Sequence, residues 1–262
     1  MPLIDQYAKE AYLRVLLQGP SGTGKTTTAC QFPRPWVFDC DMNLAGALRW
    51  LRTKSKPLPV GYDIIDRDDA GKEVPENQRM DRLVKCVNAV INNPDVDTLV
   101  IDGGTKVSEY LKADVLRRNP TKTGGFEMPS WGFYGKAWVS FVAQLTLARK
   151  HIVFIFHEKI DKDELDGGTR FFLNLQGQFQ GMAGSMFTDV WRAEVNAALT
   201  PKGEPEYVLR TAQNFRVPGL KNGLGLPAEF KFEWKIIQDK LDKDKTHTEN
   251  VAVLAAANSP HQ

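Results

Sequence analysis

Cysteine is scarce in this 262-residue chain. The three present, Cys30, Cys40 and Cys86, are odd in number and lack C-x-x-C spacing. That excludes a disulfide framework or a four-cysteine zinc site and fits a reducing cytosol. Long apolar runs are missing as well, since nothing approaches the ~18–20 residues of a membrane helix. Residues 1–17 carry Asp5, Lys9, Glu10 and Arg14, so no apolar signal core is expected there. Charge of one sign is also absent: 34 Lys plus Arg stand against 32 Asp plus Glu, a net +2. Such a balance leaves no broad electrostatic footprint for nucleic acid, and any such contact must be local. The expectation is a cytoplasmic protein with no membrane partner. What is present is ordinary globular composition, 42% hydrophobic and 25% charged, and a length that suits one generous α/β domain.

No internal repeat interrupts the chain. Residues 12–18 (YLRVLLQ) form a short apolar run ending at Gly19 and predict a buried strand. A helix is expected from Lys25 to a stop near Pro33. Residues 36–39 read as a second strand, and Leu44, Ala47, Leu48 and Leu51 keep helical spacing. Residues 60–65 predict a further strand. Met80, Leu83, Val84, Val87, Val90 and Ile91 follow a 3.6-residue period, which predicts an amphipathic helix. Residues 98–101 predict a strand ending at Asp102. Helices are then expected around Val107–Val115 and Tyr134–Leu145, followed by a buried strand over 152–156 and a late strand over 207–211. Strands alternating with helices imply a mostly parallel sheet covered on both faces. Residues 1–230 are expected to form this domain. Residues 231–262 read as a charged C-terminal segment and tail.

The most specific signal is Gly19-Pro20-Ser21-Gly22-Thr23-Gly24-Lys25-Thr26. It matches the phosphate-binding pattern G-x-x-x-x-G-K-S/T and lies between a predicted strand and a predicted helix, where the mechanism needs it. Its backbone amides, continuing to Thr27, can cradle phosphate oxygens. Lys25, read here as a solvent-facing loop charge, is placed to reach the β- and γ-phosphates, and the Thr26 hydroxyl to meet Mg²⁺. Asp102 ends an apolar strand and is the candidate second metal ligand. Asp39 and Asp41 offer two carboxylates at the end of the 36–39 strand, facing one side if the strand continues. Asp41 is the candidate for activating water, with capping of the following helix as the alternative. His157 ends the 152–156 strand on the same sheet edge and is a candidate γ-phosphate sensor.

The order of these motifs resembles the RecA-like ATPases, and within them the phage proteins of the Sak type that anneal single-stranded DNA. The residues that carry the likeness are the P-loop, Phe38-Asp39-Cys40-Asp41, Leu99-Val100-Ile101-Asp102 and Phe154-Ile155-Phe156-His157-Glu158. Later blocks are Gly167-Gly168-Thr169-Arg170-Phe171-Phe172, Phe187-Thr188-Asp189-Val190 and Lys221-Asn222-Gly223-Leu224-Gly225-Leu226-Pro227. The resemblance implies a RecA-like P-loop core that hydrolyses ATP with Mg²⁺. It further implies action on single-stranded DNA in recombination or annealing, assembly into a homo-oligomeric ring or filament, and a single-strand-binding protein as a partner. It also implies a host-cell cytoplasmic location. In that family a Lys and an Arg of a neighbouring subunit face the γ-phosphate. Lys221 keeps the first, Gly223 stands where the Arg is expected, and Arg216 is a nearby substitute.

RecA-like folds carry mobile DNA-binding loops, and the matching stretches are 118–131 and 159–185. The second holds Lys159, Arg170, Phe171 and Phe172, cations for phosphates and aromatic faces for bases. Asp161, Asp163, Glu164 and Asp166 offset that charge, and inward-packed phenylalanines are the alternative. Two other functions stay open: a nucleotide-gated DNA-binding module with little hydrolysis, and a P-loop kinase for a small molecule. The kinase reading lacks an Arg-rich lid, since Arg192 and Arg210 stand too scattered.

Overall fold

The computed structural model describes residues 12–162, 167–177, 179–196 and 205–243. The elements run β1 (Arg14–Gly19), α1 (Lys25–Ala29), β2 (Pro35–Asp39), α2 (Leu44–Thr53), β3 (Gly61–Ile64) and α3 (Glu76–Val90). They continue with β4 (Thr98–Asp102), α4 (Gly104–Arg118), α5 (Met128–Thr146), β5 (His151–Lys162) and β6 (Thr169–Leu173). The short helix α6 (Phe179–Met182), β7 (Asp189–Asn196), β8 (Glu206–Arg210), β9 (Lys221–Asn222) and β10 (Glu229–Phe230) follow. Residues 234–243 form a last helix, α7.

The strand order is β10-β8-β7-β1-β5-β4-β2-β3, with β6 paired to β5 and β9 to β7 off this path. The run from β7 to β3 is parallel throughout, while β8, β9, β10 and β6 pair antiparallel. This is the α/β fold class that the motif order implies, a P-loop core with a mostly parallel sheet and helices on both faces. Its inner strands are apolar end to end because both faces are covered; every residue of β4 is buried.

Alternation along the strands sorts the core into two layers. Leu16, Ile101, Phe154, Phe156 and Val190 pack with α3, α4 and α5, through residues such as Leu83, Leu111 and Trp138. Leu17, Val37, Val100, Ile155 and Trp191 pack on the other face with Ala29 of α1, Leu44 and Leu51 of α2, and Ile237 and Leu241 of α7. This second layer bears on the domain limits. Residues 231–243, expected as a charged segment beyond the domain, hold Phe232 stacked 5.1 Å from Phe32 and Trp234 5.4 Å from it. The same core therefore extends to residue 241, and residues 244–262 lie outside the described residues.

Two sequence expectations are corrected here. The strand expected over 152–156 runs on to Lys162. The mobile loop expected over 159–185 is in its first part a β-hairpin, with β6 returning antiparallel along β5. Asp163, Glu164, Asp166 and Gln178 of that stretch lie outside the described residues.

Candidate nucleotide site

The same alternation places the site. Asp39, Asp102 and His157 each lie two residues beyond Val37, Val100 and Ile155. They therefore point to the face that α1 covers, where the P-loop enters. Gln18, Glu158 and Arg192 fall on the opposite face, continuing Leu16, Phe156 and Val190.

The P-loop turns on left-handed glycines. Gly24 sits at φ 77°, a region that L side chains enter at a cost. Lys25 follows at the helix start and is buried, not solvent-facing as expected. Its Nζ donates to the Gly19 carbonyl at 2.8 Å and to the Pro20 carbonyl at 2.6 Å. Burial lowers its pKa, and Asp102, Glu158 and Asp41 oppose the shift. The Thr26 hydroxyl donates to Asp102 Oδ2 at 2.7 Å. Burial drives the Asp102 carboxyl up to about 7; Asp41 and Asp39 push the same way, and Thr26 and Lys25 resist. Asp102 thus stands beside the P-loop threonine, while α4 starts at Gly104 with no side-chain cap.

Asp39 and Asp41 part company because β2 ends at Asp39. The Asp39 carboxylate accepts from the Asn43 and Leu44 amides, both at 3.2 Å. Asp39, rather than Asp41, therefore caps α2. Asp41 turns inward, and its Oδ2 lies 3.3 Å from His157 Nε2. Its carboxylate occupies the space a Cβ on Gly103 would need, so a side chain at that position would displace Asp41. Lys25, Thr26, Asp41, Asp102 and His157 line one pocket of about 240 Å³ with Gly22 and Gly24.

This donor set fits a magnesium–triphosphate group. A threonine hydroxyl and a carboxylate are hard oxygen ligands, and Mg²⁺ usually takes one or two such protein ligands with phosphate oxygens and waters completing the shell. No group of three or more His, Cys, Asp and Glu forms a ready-made metal cage among the described residues.

A family model described as AAA domain matches residues 11–219. The chain belongs to that AAA-domain family. It is thus a nucleotide-binding ATPase-type protein. Among solved structures it resembles a KaiC-like protein of the archaeon Pyrococcus horikoshii, at 15% identity over 76% of this chain and 78% of that one, TM-score 0.39. It also resembles an ATPase of the type III secretion system of pathogenic bacteria, at 17% identity over 72% of this chain and 52% of that one, TM-score 0.40. The AAA-domain chain thus spans about half of that ATPase. No curated protein matches the sequence.

Other predicted residues are dispersed across the fold. Lys221 pairs with Val190 at the start of β7, and its Nζ donates to the Phe187 carbonyl at 2.7 Å. Through β7 it stands level with Leu16 of β1, about 10 Å of strand short of Gly19 at ~3.3 Å per residue. It does not join its own phosphate pocket. A Cβ on Gly223 would lie 2.7 Å from the Thr188 carbonyl, so an arginine cannot stand there without a backbone shift. The exposed Arg216 stacks on its neighbour Phe215 at 5.4 Å.

The four DNA candidates separate by face. Lys159 pairs with Phe172, and Asp161 with Arg170, on the side that continues His157. Phe171 pairs with Ile160 on the other side. There it packs partly on the core beneath the Arg192 guanidinium, 4.3 Å above its ring. Phe179 is core outright, stacked 4.6 Å from Trp138.

Sequence reasoning missed Arg192. It is buried and binds Glu158 with both ends, at 2.8 and 3.0 Å, and Glu194 at 2.6 Å. The available signal was an arginine inside the apolar run Val190-Trp191-Arg192-Ala193, since a charge there needs a buried partner.

Proposed function

We propose that this protein is a Mg²⁺-dependent ATPase whose cycle acts on single-stranded DNA. The observation that carries the hydrolytic half is the convergence of Lys25, the Thr26–Asp102 pair and the Asp41–His157 pair on one small pocket. Lys25 and the P-loop amides bind and orient the β- and γ-phosphates. Thr26 and Asp102 would hold Mg²⁺, which would supply neutralisation of charge between those phosphates. The Asp41 carboxylate accepts a proton from water as the water oxygen bonds to the γ-phosphorus and the bond to the bridging oxygen breaks, leaving ADP and phosphate. His157 holds Asp41 in place.

The DNA half rests on the hairpin that follows His157 directly and turns Lys159, Arg170 and Phe172 to the same side. Order in that hairpin can follow the γ-phosphate through His157 without a long pathway. Lys221 and Arg216 serve the phosphate only from a second copy, which fits a homo-oligomer. A single-strand-binding protein is the expected further partner.

Phosphate release measured with and without single-stranded DNA tests the reading. Asp41→Asn is expected to lower turnover about 10²–10⁴-fold with little change in nucleotide affinity. Lys25→Ala is expected to abolish both binding and turnover while the fold is kept. Tight ATP binding without release supports a nucleotide-gated module instead, and phosphate transfer to a small molecule supports a kinase.

A further inference from the structure

A second, larger cavity adjoins the phosphate pocket. It has a volume of about 550 Å³, within the ~300–1,000 Å³ usual for small-molecule sites. Gly22, Gly24 and Thr27 line both cavities, so the P-loop is the wall between them. On the far side the walls are aromatic: Trp50 of α2, Tyr207 of β8 and Phe232. Tyr207 lies directly against the P-loop, its Cδ1 3.1 Å from where a Cβ on Gly24 would stand. Its side of β8 remains open, with Tyr207 42% exposed.

Resting on the ATPase reading, we infer that this cavity takes the nucleoside end of the bound triphosphate, with the base against the Tyr207 ring. A triphosphate laid over Gly22–Thr26 with its γ-end toward Asp41 and His157 has its α-end directed past Gly24 and Thr27. The cavity that opens there is this one. Three of its polar side chains are already engaged, and Lys56 and Glu233 are exposed at its rim. The Gln31 amide donates to the Thr27 carbonyl at 3.1 Å, and Glu206 pairs with Lys231 across the rim. Binding therefore comes from stacking on an aromatic face, which every base possesses and which reads little of its edge. Strong discrimination needs polar groups left unsatisfied by the wrong base. ATP and GTP accordingly bind with affinities within about tenfold of each other.

Calorimetric titration with Mg·ATP, Mg·GTP and Mg·tripolyphosphate tests this. Tripolyphosphate carries the phosphates and no nucleoside. Tyr207→Ala is expected to weaken ATP about tenfold, the loss of one base–aromatic stack, and to leave tripolyphosphate unchanged. Tyr207→Phe keeps the ring and is expected to keep the affinity. Equal ATP affinity in wild type and Tyr207→Ala overturns the assignment, as does a parallel loss for tripolyphosphate. A preference for one purine beyond a hundredfold overturns the stacking-only account. If neither ATP nor tripolyphosphate binds the wild type, the phosphate site itself is wrong, a separate outcome.

Discussion

Asp102 is the residue on which stability and activity oppose one another. Its carboxyl is fully enclosed and hydrogen-bonded to Thr26, and burial holds it protonated up to about 7 instead of the ordinary 3.8. Between those values the folded state keeps a proton that the unfolded chain has released. The stability of the nucleotide-free protein therefore falls as pH rises from about 4 to about 7, and then levels. Thermal unfolding followed across that range should show the decline, and a flat profile counts against it. Asp102→Asn keeps an acceptor for the Thr26 hydroxyl and removes the buried charge. Above pH 7 it should raise stability by on the order of 1–3 kcal/mol and abolish Mg²⁺-dependent phosphate release. Asp39 and Asp41 show how finely residue roles divide. They are two positions apart, yet one caps α2 and the other faces His157, because the strand stops between them.

At the scale of the element, the β5–β6 hairpin is anchored to the sheet by the Arg192–Glu158 pair. The Glu158 side chain is 2% exposed, so removing its partner strands a buried carboxylate. Arg192→Met should cost about 3–5 kcal/mol in urea unfolding, and adding Glu158→Gln should recover most of it. A small effect in the single variant would mean that Glu158 reaches water once released. The two faces of the hairpin give a second test. Lys159→Ala with Phe172→Ala should weaken binding of a labelled single-stranded oligonucleotide several-fold at fixed salt, and higher salt should weaken the wild type modestly. Phe171→Ala, on the face under Arg192, should change stability more than DNA affinity. Equal DNA affinities in wild type and double variant would remove the hairpin from the DNA site.

At the scale of the whole molecule, the core does not close until the chain returns in α7. Ile237 is fully buried and Leu241 nearly so, each joined to the layer that also holds α1. Ending the chain after Phe230 exposes that layer at about 1.5–3 kcal/mol for each lost side chain. The truncated protein should melt well below the full chain or fail to remain soluble, and an unchanged melting curve would show that α7 is dispensable. The sequence alone determined the parallel α/β core and the phosphate loop. Its inner strands are apolar runs, its helices keep a 3.6-residue period, and the P-loop is a local motif whose backbone does the binding. Asp102 was legible for the same reason, as a lone acid closing an apolar strand. What came only with tertiary structure is every assignment that depends on a partner distant in the chain. Which aspartate meets His157, where Phe171 lies, why Arg192 is buried and what Tyr207 covers are all decided by strand order. Alternation sets a side chain's face from local sequence, but the neighbour across that face is chosen by the sheet.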